Sequence, residues 1–98
     1  MDTNFTLYDV EFKWDLDKAG INLGRHKISF EKACEVFFDP FLRVVDASDN
    51  GEARDAAIGY TEDSQMLFVV HVIRDGNTIR IISARPATKA ERKDYENF

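Results

Sequence analysis

Hydrophobic and polar positions alternate with period two from Tyr8 to Trp14, where Tyr8, Val10, Phe12 and Trp14 interleave with Asp9, Glu11 and Lys13. Successive strand side chains point to opposite faces, so this pattern predicts a half-buried strand. The residues before it, 1–7, read as a flexible leader. Asp15 then offers a cap to a helix running to about Arg25, with Leu16, Ala19, Ile21 and Leu23 as its apolar positions. Gly20 and Gly24 each cost such a helix roughly 1 kcal/mol in its interior, which makes Gly24 a candidate end. Ser29 caps a second helix, in which Phe30, Ala33, Val36 and Phe37 share a face before Asp39-Pro40 stops it.

After Pro40 the pattern returns to period two with β-branched residues, which predicts four strands over Phe41–Ala47, Ala53–Thr61, Met66–Arg74 and Thr78–Arg85. Asp75-Gly76 suits a type I′ turn, where both central residues need positive φ, so the last two strands form a hairpin. Thr88 with Glu91 three residues on is a capping box, and it predicts a short terminal helix to about Asn97. The order of elements gives one α+β domain over residues 1–98, with helices on one face of a largely antiparallel sheet.

At 98 residues the chain buries roughly 65% of its unfolded surface, enough for one modest core. A hydrophobic content of 44% excludes the disordered class, which lacks the apolar area to offset ordering entropy. The single cysteine, Cys34, rules out an internal disulfide or a thiolate zinc cage and fits a reduced, cytoplasmic setting. No signal-like start and no apolar run long enough for a bilayer is visible, so no membrane partner is expected. The net charge of -5 counts against a polyanionic partner, but it is unevenly spread. Residues 39–64 carry seven acids against Arg43 and Arg54, whereas residues 80–93 carry Arg80, Arg85, Lys89, Arg92 and Lys93 against Glu91 alone. Local field steers a polyanion, so a basic face on an acidic protein stays open.

His71 lies among apolar neighbours on its strand and has two readings, a hydrogen-bonded core histidine or a general acid or base in a cleft. Arg80 and Arg85 point to opposite faces if the strand is regular, and each needs a partner on a half-buried strand: a carboxylate such as Asp55 or Glu52, or a phosphate gripped by the guanidinium fork. Arg25-His26-Lys27 reads as a solvated loop or a phosphate contact, and Trp14 as strand core or a base-stacking platform. The acids from Asp46 to Asp55 lack the Gly-centred calcium-loop pattern, so no metal is expected. No P-loop, dinucleotide glycine motif, G-x-S-x-G or H-E-x-x-H is present.

Several of these residues fall into a recognisable order. Phe12-x-Trp14-Asp15 with Lys18 and Asn22, then His26-x-Ile28-Ser29-Phe30-Glu31-x-Ala33, resembles the first half of the BrnT toxin family. Asp39-Pro40, Glu52-x-Arg54, Ile58-Gly59, Val70-His71 and the run from Arg80 to Glu96 resemble its second half. One departure is Lys27, where family members often carry Gly. The resemblance implies a fold related to RelE-type toxins, with two N-terminal helices packed on the sheet and a short C-terminal helix. It implies a type II toxin-antitoxin ribonuclease that inhibits translation by cleaving RNA without metal or cofactor. It further implies a BrnA-like antitoxin that neutralises the toxin in a heteromeric assembly and supplies the contact to operator DNA. On matching positions, Arg54, Arg80, Arg85 and His71 become the catalytic candidates. Lys18, His26, Lys89 and Arg92 become RNA-path or antitoxin contacts. The rival readings are a non-catalytic module that docks a DNA-binding antitoxin and a small RNA-binding protein without chemistry.

Overall fold

The computed structural model describes residues 1–97. Its elements run β1 (Asp2–Leu7), β2 (Val10–Asp15), α1 (Leu16–His26), α2 (Phe30–Cys34), a 3₁₀ turn (Glu35–Phe38), β3 (Arg43–Asp46), β4 (Asp55–Tyr60), β5 (Met66–Arg74), β6 (Thr78–Pro86) and α3 (Lys89–Glu96). The expected leader is in fact the edge strand β1, paired antiparallel with all of β2. Phe5 and Leu7 turn inward on the core, and the turn at Tyr8 and Asp9 takes positive φ without any glycine. Tertiary contacts hold that turn, since the Tyr8 hydroxyl donates to Glu62 at 2.9 Å and its ring meets Phe38 edge-on at 5.1 Å.

Helix ends form where the side chains allow them. Asp15 accepts from the Lys18 amide, Ser29 from the Lys32 amide, and Thr88 and Glu91 complete their reciprocal box. The helix from Leu16 runs past Gly24 and closes at Lys27, whose left-handed φ of 62° lets its N–H reach the Leu23 carbonyl. Asp75 and Gly76 both take positive φ as expected, but the β5–β6 hairpin closes on the Arg74–Thr78 pair, so its loop has three residues (75–77) and not the two of a type I′ hairpin.

The six strands lie in the order β1-β2-β6-β5-β4-β3. Every pairing is antiparallel except β2 with β6, which runs parallel, so the sheet is mixed. A first core joins Phe12, Trp14, Leu67, Val69 and Ile81 to Phe30 and Val36 beneath α1 and α2. A second, smaller core joins Ile58 and Met66 to Tyr95 of α3. The expectation of helices on one face alone is therefore corrected: alternation along β4 and β5 puts α3 on the face opposite to α1 and α2. The hairpin ahead of the helices also departs from a chain that opens on two helices.

Asn22, 6% exposed, fastens the α1 layer to the centre of the sheet. Its amide nitrogen donates to the carbonyls of Ile28 (3.0 Å) and Ala84 (2.8 Å), and its oxygen accepts from the Ala84 amide (3.1 Å). A buried amide with its partners supplied contributes stability instead of costing it.

Candidate functional site

Val70 pairs with Ser83 and the next residue, His71, pairs with Ile81, leaving Ile82 as an extra residue on β6. Such a bulge shifts the alternation of one strand by one position. Ala84, Ile81 and Ile79 keep to the α1–α2 core, so Ser83, Arg80 and Arg85 all lie on the other face. The expectation that the two arginines point apart is overturned by this single residue. Both are half-buried there, but at opposite ends of β6: Arg85 beside Phe68 where α3 docks, and Arg80 four β5 positions away beside Lys13 of β2.

Neither arginine uses the acids the sequence suggested. Arg80 grips Asp2 of β1 with two bonds of 3.0 and 2.9 Å. Its proton is held more tightly by the Asp2 hydrogen bond, and Asp2 is pushed below the usual carboxylate range by the same bond. Arg85 forms a fork to Glu91, both contacts at 2.7 Å, and its guanidinium lies 4.4 Å from the centre of the Phe68 ring. Glu91 also accepts from the Thr88 amide at 2.9 Å. Hydrogen bonding to Arg85, more than to Thr88, keeps its carboxyl low. Arg54, half-buried, reaches Glu52 at 2.8 Å and shares a cleft of about 310 Å³ with Val72, Asp46 and Ser48.

His71 lies elsewhere. It is 3% exposed on the α1–α2 face, where its ring meets Phe37 edge-on at 4.8 Å and Nδ1–H donates to the Val69 carbonyl at 3.1 Å. Burial lowers its pKa against the opposing effects of that bond and of Asp55. The fold gives it the core role of its two readings and separates it from the arginines by the thickness of the sheet. Cys34 is likewise buried, and desolvation raises its pKa.

Lys89 and Arg92 ride on α3 on the same side as Arg85, with Arg92 Nη1 3.5 Å from the Tyr60 hydroxyl. Lys18 and His26 belong to α1, in the helical layer behind the sheet. Trp14 is core, 2% exposed against Phe30 and Phe5. A residue the sequence reading did not single out, Lys13, is placed directly beside Arg80 by the parallel β2–β6 register. Its outward position was legible from the alternation; its neighbour was not.

Among the described residues no group of three or more His, Cys, Asp or Glu side chains is arranged to hold a metal ion. No helix among them is long and apolar enough to cross a membrane. What the face offers is a set of guanidiniums able to grip phosphate. The partners of Arg54 and Arg80 are partly solvent-exposed, and exposed ion pairs of this kind contribute about 0–1 kcal/mol, so a phosphate competes for these two at small cost. Glu91, 16% exposed and bidentate, holds Arg85 more firmly.

A family model described as ribonuclease toxin, BrnT, of type II toxin-antitoxin system matches residues 14–91. No curated protein matches the chain significantly.

Proposed function

Because the chain belongs to the BrnT family of ribonuclease toxins of type II toxin-antitoxin systems, we propose that it is a metal-independent endoribonuclease using the arginine-bearing face of its sheet. In this reading it inhibits translation in the cytoplasm until a BrnA-like antitoxin captures it in a heteromeric complex. The observation that carries the reading is the bulge at Ile82, which sets Arg80 and Arg85 on one face.

The reaction is an in-line transesterification. The ribose 2′-hydroxyl loses its proton and its oxygen attacks the adjacent phosphorus. The bond from phosphorus to the 5′-oxygen of the next nucleotide breaks, and that oxygen takes a proton from water to leave as a 5′-hydroxyl, giving a 2′,3′-cyclic phosphate. Arg85 grips the non-bridging oxygens, and because negative charge accumulates there in the phosphorane, it stabilises the transition state more than the ground state, while Arg80, about 13 Å along the strand, holds an adjoining phosphate. Arg54 holds a neighbouring phosphate. Lys89 and Arg92 extend the cationic surface along α3, and Lys18 and His26, behind the sheet, serve the antitoxin contact. His71 supports the sheet from its core, and water accepts the 2′-hydroxyl proton.

Arg85→Ala is expected to slow cleavage 10²-fold or more, since one preorganised donor is typically worth roughly 2.7 to 4 kcal/mol. The test is inducible expression in a bacterial host with growth and new RNA 5′ ends followed side by side. Growth arrest with new ends, both missing in an Arg85→Ala protein that keeps its circular dichroism spectrum, supports the reading. Normal growth and intact RNA at good soluble expression overturn it. They would favour the second reading, a non-catalytic module that docks a DNA-binding antitoxin. One observation speaks for that alternative: Arg54, Arg80 and Arg85 each already hold a carboxylate of their own chain.

A further inference from the structure

We infer that Lys13, Arg80 and Arg54 form a phosphate track that carries single-stranded RNA across the strands of the open face, with Lys13 as a backbone contact; this rests on the ribonuclease reading. The row follows from three registers. Lys13 of β2 is the parallel partner of Arg80 on β6. Arg80 in turn faces Val72 of β5. Arg54, immediately before the Asp55–His71 pair, shares a cleft with Val72. Neighbouring strands lie about 4.8 Å apart, so the row from β2 to β4 spans about 14 Å perpendicular to the strands.

Lys13 differs from its neighbours in the row. Among the described residues it makes no hydrogen bond and no ion pair, although its charge reaches Asp2 and its stem is half-buried. A lysine in that setting lays its methylenes on the sheet and lifts its ammonium to the surface. It is thus a compact cation with nothing to exchange, beside a guanidinium that must release Asp2. The half-buried Val70 and Val72 between Arg80 and Arg54 carry no charge of their own to oppose a phosphate chain. Along the strands the same face is closed by α3 beyond Arg85, so the crossing direction is the open one.

The experiment measures binding of a 2′-O-methyl oligonucleotide, which lacks the attacking hydroxyl and stays whole, between about 50 and 200 mM salt. Each phosphate contact on a single strand contributes about 0.7 to the slope of log affinity against log salt. Lys13→Gln is expected to weaken binding several-fold and reduce that slope by about 0.7, with Lys13→Arg restoring it. Adding Arg54→Gln should remove a second step of the same size. Lys32→Gln, in the helical layer where Lys32 pairs with Asp63, should leave the slope unchanged. A wild-type slope in a Lys13→Gln protein of unchanged melting temperature overturns the track. So does Lys13-dependent binding of decaglutamate without binding of the oligonucleotide, which would assign the row to an acidic protein segment. The expected slopes with natural RNA left uncut would keep the track and overturn the ribonuclease reading alone.

Discussion

His71 shows at the residue scale how position decides between two chemically plausible uses of one side chain. Burial makes the charged imidazole unfavourable in the fold, so its folded pKa lies below the unfolded value of about 6.5. Below that value the unfolded chain takes up a proton that the folded chain refuses. Stability is therefore complete at neutral pH and declines as pH falls from about 6.5 towards the folded pKa. The melting temperature is expected to fall over this range, and His71→Leu should flatten that part of the curve. An unchanged curve in the variant would show that another group sets the acid sensitivity. Asn22 makes a related point, because this polar side chain bridges α1 to β6 through two hydrogen bonds with Ala84 and holds the Ile28 carbonyl with a third.

Among the elements, α1 ends on a non-glycine residue in the left-handed region. Lys27 takes the left-handed conformation that Gly adopts without steric cost, and for other L-residues that conformation costs about 1–2 kcal/mol. Lys27→Gly is expected to stabilise the protein by about 1 kcal/mol, read as a rise in the urea midpoint at constant slope. A lower midpoint would mean that the Lys27 ammonium on the Gly24 carbonyl contributes more than the strain. The sequence makes the local elements visible: Met66–Arg74, the Asp75-Gly76 hairpin and the Thr88 box form where their residue patterns place them. Two things escape it for physical reasons. The first hairpin turns on Tyr8 and Asp9, which have no glycine and fall inside an alternating run, and Tyr8 is held by contacts to Glu62 and Phe38. The bulge at Ile82 falls on the Ile81-Ile82 pair, whose identical side chains do not say which is the extra residue, yet it decides which face Arg80 takes.

At the scale of the whole molecule the acids of the middle stretch are held in place by local bonds that keep them ionised. Many acids of residues 39–64 are engaged locally. Asp39 accepts from the amides of Phe41 and Tyr60 and from the Tyr95 hydroxyl, Asp46 holds Ser48, and Asp63 holds Lys32. For Asp39 burial opposes ionisation, but these bonds outweigh it and its pKa is lowered, while Tyr95 is raised to about 12, chiefly by burial. With Asp46, Asp63 and Glu91 also lowered, their contribution is present above the unfolded carboxylate values near 4 and is lost as pH falls through the folded ones. A second, steeper loss of melting temperature is thus expected below about pH 4, beneath the histidine limb. Its absence would mean that these bonds persist in the unfolded chain. The order of the strands has one more consequence, in time. The β1–β2 hairpin and the β3–β4–β5 meander are each built from neighbouring segments, but β6, the second-last element in the chain, is the strand that joins them. During synthesis neither half carries Arg80 or Arg85, and Lys13, paired with Asn4 in the hairpin, gains its cationic neighbour only when residues 78–86 join the sheet. The cationic row therefore exists only once synthesis of the chain is nearly complete.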